Sequence, residues 1–311
     1  MGGSPRYDVV PVRYEMAMST TILERTATFG RMIKFSHSVF ALPFAFVSGL
    51  VCTRIASTTI SWVDVFLLIV CMVSARTAAM GYNRIADRDI DATNPRTQQR
   101  EIPSGRISPA QAGLFTCGAV LIFVAASFCI NTLCGLLSIP VIGLLLGYSK
   151  TKRFTPLSHL VLGLCLGAAP VGVWFALTGQ FSWTPLALCG AVTFWTAGFD
   201  VYYSCQDAEF DAAHDLHSIP ARLGAMRSIR LVRLFHALAI ALYIVFGRLA
   251  GLGIVFHVGV ALVAGILIYE AWILRNGDLS RIDLAFFNLN GYVSILFAIG
   301  ATIDVVVIGS I

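Results

Sequence analysis

Residues 61–91 read SWVDVFLLIVCMVSARTAAMGYNRIADRDID, a membrane-length apolar run that breaks into acids at helical spacing. Asn83, Asp87 and Asp91 follow one another at intervals of four, and each such step on an α-helix advances by about 40°, so all three share one face. A carboxylate near the centre of a bilayer costs roughly 2.5–3.5 kcal/mol on insertion scales. Acids grouped beside such a run therefore call for a compensating ligand. A divalent cation is the natural one, and a cation held between carboxylates commonly holds a phosphate too. A second stripe ends another apolar run: Asp200, Tyr203, Asp207 and Asp211. Asp200 lies seven residues before Asp207, within about 20° of the same line.

The rest of the chain supports a membrane setting. It is 57% hydrophobic and only 13% charged, with mean hydropathy +0.78, about half the charge of an ordinary soluble domain. Apolar runs near the ~20 residues needed to cross a hydrocarbon core recur at about 35–55, 61–82, 110–130, 132–149, 158–178, 184–203, 229–247, 250–274 and 284–308. The expected fold is an all-α integral membrane protein, a bundle of nine transmembrane helices around a central cavity open to the cytoplasmic side. Asn131 separates the third run from the fourth, while Pro43, Pro140 and Pro170 fall within runs. Residues 1–30 form a polar arm and 31–311 a single transmembrane domain.

Basic residues fix the expected orientation. All but Arg54, Arg76 and Arg248 of the 22 Lys and Arg residues fall on one side, that of the N-terminus and both acidic stripes. That side is cytoplasmic by the positive-inside rule. The net charge of +5 thus reflects topology, and no basic stripe interleaved with aromatics points to nucleic acid. The eight cysteines are scattered through apolar runs without CxxC pairs and read as reduced packing residues.

The two stripes repeat each other. A shift of 120 residues lays Asp87 on Asp207, Asp91 on Asp211 and Asn83 on Tyr203, and brings Pro103–Gly105 close to Pro220–Gly224. Two related helix groups facing one cavity would account for this; chance likeness between two acidic loops is the plain alternative. If the stripes converge, up to five carboxylates and an amide meet and repel. Magnesium relieves this, since it takes oxygen ligands and bridges carboxylates to a diphosphate. Between the stripes lies Tyr148-Ser-Lys150-Thr-Lys152-Arg153. By itself this is an ordinary membrane anchor; beside two metal-binding stripes, Lys152 and Arg153 become partners for diphosphate oxygens. Asp89 and Glu209 sit off the stripes, His214 and His217 read as solvated, and Asp64 and Asp304 as acids snorkelling at the opposite face. Asp283 opens the last run and is a supporting neighbour of the site. A cation- or proton-coupled transporter is the competing reading, although its key charges would sit at the midplane.

NRIADRDID, NPRTQQREIPSG, YSKTKR and DVYYSCQDAEFD, in this order and spacing, resemble the UbiA superfamily of intramembrane prenyltransferases over about residues 30–308. The resemblance implies a helical bundle, two Mg2+ ions and transfer of a polyprenyl chain from polyprenyl diphosphate to an aromatic acceptor. Residues 34–45 (KFSHSVFALPFA), 76–80 (RTAAM) and 198–200 (GFD) are similar to the 4-hydroxybenzoate polyprenyltransferase-like branch, part of which serves menaquinone synthesis by the futalosine route. The acceptor is then 4-hydroxybenzoate or a dihydroxynaphthoate, in ubiquinone or menaquinone biosynthesis.

Carried onto this chain, the motif implies that Asn83, Asp87 and Asp91 hold one magnesium and Asp207 and Asp211 the other. Asp200 is a nearby ligand or orienting acid, and Lys152, Arg153 and one of Arg88, Arg96 or Arg100 bind diphosphate. Tyr203, Tyr82, Trp195 or Phe199 would face the carbocation, and His37 either binds the acceptor or packs. The expected setting is multi-pass in a bacterial inner (plasma) membrane among lipid, N-terminus cytoplasmic, with no obligate protein partner.

Overall fold

The computed structural model describes residues 28–30, 32, 41–275, 282 and 289–308. The N-terminal arm through residue 27, Lys34, His37 and Asp283 lie outside the described residues. Within them the chain is helical and contains no strand. The helices are Leu42–Ile55 (α1), Trp62–Ala86 (α2), Arg88–Thr93 (α3), Pro109–Ile130 (α4), Thr132–Thr151 (α5) and Ser158–Thr178 (α6). They continue with Trp183–Ser204 (α7), Ala208–Ala213 (α8), Ile219–Leu223 (α9), Ala225–Leu249 (α10), Ile254–Ile273 (α11) and Asn290–Ile303 (α12).

Six of these, α2, α4, α5, α6, α10 and α11, are long and apolar enough to cross a membrane, and the protein is a multi-pass membrane protein. The expected count of nine crossings is reached only by adding three helices of different character. α1 and α12 are shorter apolar helices. α7 has the length but carries Asp200 and several Thr and Trp residues; fourteen of its 22 residues are buried, which makes it the central helix.

Local chemistry sets the breaks. Asn131 caps α5 by accepting from the Cys134 amide at 2.8 Å, and its own amide donates to the Phe175 carbonyl at 3.2 Å. A short polar residue thus stops α4, starts α5 and ties both to the end of α6. Ser61 with Asp64 and Ser108 with Gln111 close capping boxes on α2 and α4. Asp64 is therefore a capping acid. Asp304 corrects the expectation that it snorkels. It is buried, accepting from the amides of Gly253 at 2.7 Å and Phe256 at 3.1 Å, with Arg54 at 3.9 Å. Its carboxylate satisfies the orphan donors and positive end of α11.

Consecutive helices pack together along α4–α5–α6–α7 and α10–α11–α12. α7 lies against α10, α2 against α4 and α5, and α1 against α6 and α12. The core between α1, α7, α10, α11 and α12 is aromatic: Phe44 lies 5.2 Å from Trp195, and Tyr243 4.7 Å from Phe297, between ring centres. All eight cysteines are free thiols. α6 meets α7 through Gly163 and Gly167, whose missing side chains admit the Thr193 and Cys189 backbone. This small-xxx-small approach substitutes for a hydrophobic driving force that lipid does not provide.

Gly163→Ala places a Cβ onto the Thr193 carbonyl and forces the central helix away, at a cost of roughly 1–3 kcal/mol. A thermal melt of the detergent-solubilised protein should fall by several degrees. Gly172→Ala, where a Cβ meets open space, should leave it unchanged.

Candidate active site

The first stripe is not one unbroken helix. α2 stops at Ala86, Asp87 takes φ −97° and ψ 5°, and α3 begins at Arg88. The i, i+4 bonds nevertheless carry across: the Asp87 amide donates to the Asn83 carbonyl at 3.0 Å and the Asp91 amide to the Asp87 carbonyl at 2.7 Å. The second stripe is built the same way. α7 ends at Ser204, a 3₁₀ turn runs Cys205–Asp207, Asp207 takes φ −103° and ψ 5°, and α8 follows. α3 spans 88–93 and α8 spans 208–213, so the 120-residue shift superposes the breaks, the short helices and the backbone angles of both acids. Gly105 and Gly224 after them share φ near +75°, a left-handed value glycine adopts without cost.

Asp87, Asp91 and Asp207 each have a cation beside them. Asp87 is buried, with Lys152 Nζ at 3.4 Å from Oδ2, Arg153 Nη2 at 3.5 Å from Oδ1, and the Asn83 amide donating to Oδ2 at 3.0 Å. Arg153 also donates to the Ala86 carbonyl. Arg100 Nη1 grips both oxygens of Asp91 at 2.7 and 2.8 Å. Arg96 reaches across from the first loop. Its Nε donates to Asp207 Oδ1 at 2.9 Å, its Nη2 to Oδ2, and its Nη1 to the Tyr203 hydroxyl at 3.0 Å. The Asn94 amide joins it on Asp207 Oδ1 at 3.3 Å. Lys152 and the second loop are clasped too: the His217 amide donates to the Lys152 carbonyl at 2.6 Å.

The expected candidates therefore separate. Asp87, Asp91, Asp207, Lys152, Arg153, Arg96 and Arg100 meet where the two loops fold over the end of α5, with Asp211 close enough to feel Lys152 and Asp207. Arg88 does not join them; it is exposed and pairs with neighbouring Asp89 at 3.3 Å. Asp200 stands apart from Asp207, hydrogen-bonded to His159 Nδ1 at 2.6 Å. His159 is buried, and its Nε2 accepts from the Ile219 amide at 3.3 Å, so its proton sits on Nδ1 facing Asp200. Sequence reading missed His159 and Asn94. A histidine entering an apolar run was the available signal for the first, and the Asn94-Pro95 turn for the second.

The aromatic candidates also diverge. The Arg96 guanidinium covers the Tyr203 ring at 5.1 Å, and Lys150 lies 5.8 Å over Tyr82. Trp195 donates to Asn290 at 2.7 Å inside the core, with Phe199 edge-on at 5.1 Å.

Among the described residues no three His, Cys, Asp or Glu side chains come together closely enough to hold a metal. Asp87, Asp91 and Asp207 are each paired with a basic group, while Asp211 takes its hydrogen bond from Ser218. The donor set still fits magnesium in kind: carboxylates and one amide, all hard oxygen ligands, with no soft atom among them. A depression of about 390 Å³ between α3 and residues 214–216 opens onto Arg153.

Residues 41–292 match the UbiA prenyltransferase family. The chain belongs to that family. As a member it is an enzyme, a prenyltransferase. Relatives include a 4-hydroxybenzoate octaprenyltransferase of Vibrio campbellii, 28% identical over 244 residues, covering 78% of this chain and 85% of the relative. A protoheme IX farnesyltransferase of Gloeothece citriformis is 28% identical over 279 residues, covering 86% and 85%. Among solved structures, the apo form of a UbiA homologue from Aeropyrum pernix K1 has TM-score 0.78 at 35% identity, over 86% of this chain and 98% of that one. A UbiA homologue from Archaeoglobus fulgidus bound to DMAPP and Mg2+ has TM-score 0.65 at 18% identity, covering 88% and 99%, a likeness of fold.

Asp211 yields a test that separates stability from turnover. Burial pushes its carboxyl above the ordinary carboxylate range, with the Ser218 hydrogen bond and the Lys152 charge pulling back. The folded state therefore holds this proton more tightly than the unfolded chain, so ionisation weakens the fold as pH rises. Asp211→Asn should melt at the same or a higher temperature at pH 7 yet lose activity. A clear drop in melting temperature would contradict that assignment.

Proposed function

We propose that the protein transfers a polyprenyl chain from its diphosphate to the ring of an aromatic acid, 4-hydroxybenzoate, in quinone biosynthesis. One observation carries the reading: the carboxylates Asp87, Asp91 and Asp207 pair with the four cations Lys152, Arg153, Arg100 and Arg96, and Asp211 lies within reach of the Lys152 charge. Such a set can change partners as a unit, carboxylates taking metal and bases taking diphosphate. The relatives named for 4-hydroxybenzoate favour that acceptor over a dihydroxynaphthoate. Family membership supports an enzyme and lends nothing to a transporter.

Asn83, Asp87 and Asp91 would hold one magnesium, and Asp207 and Asp211 the second. Bound magnesium offsets charge on the diphosphate and eases its departure. Lys152, Arg153, Arg96 and Arg100 release their carboxylates and donate to the phosphate oxygens, where the bonds strengthen as the allylic C–O bond breaks and negative charge grows. Once Arg96 turns to the diphosphate, the face of Tyr203 is uncovered toward the allylic cation. The acceptor ring attacks that cation and then loses a proton, restoring aromaticity. Asp200, held by His159, is an oriented acid at the inner edge of the site. The aromatic packing of Trp195 and Phe199 keeps water from the cation. The protein works in a bacterial inner membrane, with its loops and N-terminus cytoplasmic.

The test is an assay of the purified protein in liposomes with labelled polyprenyl diphosphate. Acceptors are 4-hydroxybenzoate and 1,4-dihydroxy-6-naphthoate, each with magnesium or with EDTA. Magnesium-dependent prenylation of 4-hydroxybenzoate is expected. Asp87→Asn and Asp207→Asn should each lower turnover by about 100-fold or more, and retained activity in both would sink the metal assignment. Lys152→Ala should raise the KM for the diphosphate and leave that for the acceptor near the wild-type value.

A further inference from the structure

From Leu216 to Tyr269 the chain carries five arginines and not one acid. Four of them, Arg222, Arg227, Arg230 and Arg233, stand at the loop end of α9 and α10, and all four are exposed. Among the described residues none of the four pairs with a carboxylate. Other exposed arginines at this end do find partners: Arg88 holds Asp89, Arg96 holds Asp207 and Arg106 donates to the Ser104 hydroxyl. The three on α10 follow at steps of three, where like charges repel. Beyond them the same exposed face turns apolar, with Leu234, Ala237, Leu238, Ala241, Ile244 and Val245. At 100° per residue, arginines and apolar residues together lie within about 140° of arc. Arg230 is within about 20° of both Ala237 and Ala241. Those two small residues are flanked by Leu234, Leu238, Ile244 and Val245, so a shallow furrow runs down the helix from a guanidinium. Arg233 to Val245 spans about 18 Å of rise, close to one leaflet of a ~30 Å hydrocarbon core.

A single arginine at a helix end needs only water for its head. Three in a row with no acid near them repel one another until an anion stands among them. A cationic head above an apolar furrow one leaflet long is the complement of an amphiphile with an anionic head and an acyl tail. We propose that this face of α10 binds an anionic phospholipid, its phosphate held by Arg230 with Arg227 and Arg233, and one acyl chain lying along Ala237 and Ala241. Guanidinium forks match phosphate oxygens in pairs of bonds. The opposite face of α10 packs on α7, the helix that carries Asp200 and Tyr203. The lipid therefore braces the central helix from outside the bundle without touching the acidic stripes.

The experiment uses the full chain purified in detergent. It is titrated with dioleoylphosphatidylglycerol or with dioleoylphosphatidylcholine, which has the same tails, and followed by native mass spectrometry and thermal melting. One phosphatidylglycerol should be retained and should raise the melting temperature, at concentrations where phosphatidylcholine does neither. Arg230→Gln combined with Arg233→Gln should weaken phosphatidylglycerol binding by about 10-fold or more, the scale of two basic residues lost at a membrane surface. Ala241→Phe, which fills the furrow and changes no charge, should weaken it as well. Arg248→Gln, the same loss of charge at the far end of α10, should not. Inorganic phosphate in excess should leave the lipid bound. An unchanged melting temperature without lipid reports an intact fold, and where the double variant melts lower, Arg230→Gln alone carries the comparison. Equal retention of the two lipids, wild-type affinity in the arginine variants or in Ala241→Phe, an equal loss in Arg248→Gln, or displacement by inorganic phosphate would each overturn the assignment.

Discussion

Carboxylates at the edge of a low-dielectric bilayer must keep a cation beside them, and the loop end of this bundle is organised by that constraint. Asp87 and Asp91 are nearly sealed from solvent, with side-chain exposures of 4% and 5%. An uncompensated charge there would cost several kcal/mol. Lys152, Arg153, Arg100 and Arg96 remove that cost and, in doing so, pull together segments far apart in sequence. Arg96 pins the first loop to the second through Asp207, and Arg153 pins the end of α5 to the end of α2. The loops fold over the site because their charges require it.

The same constraint explains how a rigid bundle can offer an exchangeable site. The helices are fixed by close backbone approach at Gly163 and Gly167, by the aromatic cluster around Phe297, and by buried caps such as Asp304. Beyond these anchors Asp91 and Asp211 sit on six-residue helices that follow the breaks at Asp87 and Asp207, and the bases come from the turn after α3 and the end of α5. Exchange of partners then requires side-chain rearrangement on held backbones. The near-identical backbone angles at Asp87 and Asp207 indicate that both halves use one device, repeated.

Features governed by local spacing were readable in the chain itself. The stripes announced themselves by intervals of four, their kinship by the 120-residue shift, and the break at Asn131 by a polar residue between apolar runs. Features set by distant elements were not. The choice of Arg96 and Arg100 over Arg88 depends on where a loop turns after Asn94. The pairing of Asp200 with His159 depends on α6 lying against α7. Asp304 reads as a stray acid until the start of α11 is seen above it. Spacing reports which face an acid occupies and says nothing of the base that reaches it, as the pairing of Asp207 with Arg96 of the other loop illustrates.

The central claim is that the site's acids and bases stand in for ligands they later receive, and it is tested by the coupling of those ligands. On the proposed assignment, Asp87, Asp91 and Asp207 would have to leave Lys152, Arg153, Arg100 and Arg96 to hold magnesium alone, and those bases would be left unpaired. With diphosphate present both groups are satisfied together, so each ligand should promote the other by the same factor. Calorimetric titration of magnesium into the reconstituted protein, with and without a non-ionising prenyl thiodiphosphate, measures this directly. The account predicts magnesium binding at least about 10-fold tighter with the analogue bound, and the same gain for the analogue when magnesium is bound. Equal magnesium affinity in both titrations would contradict it.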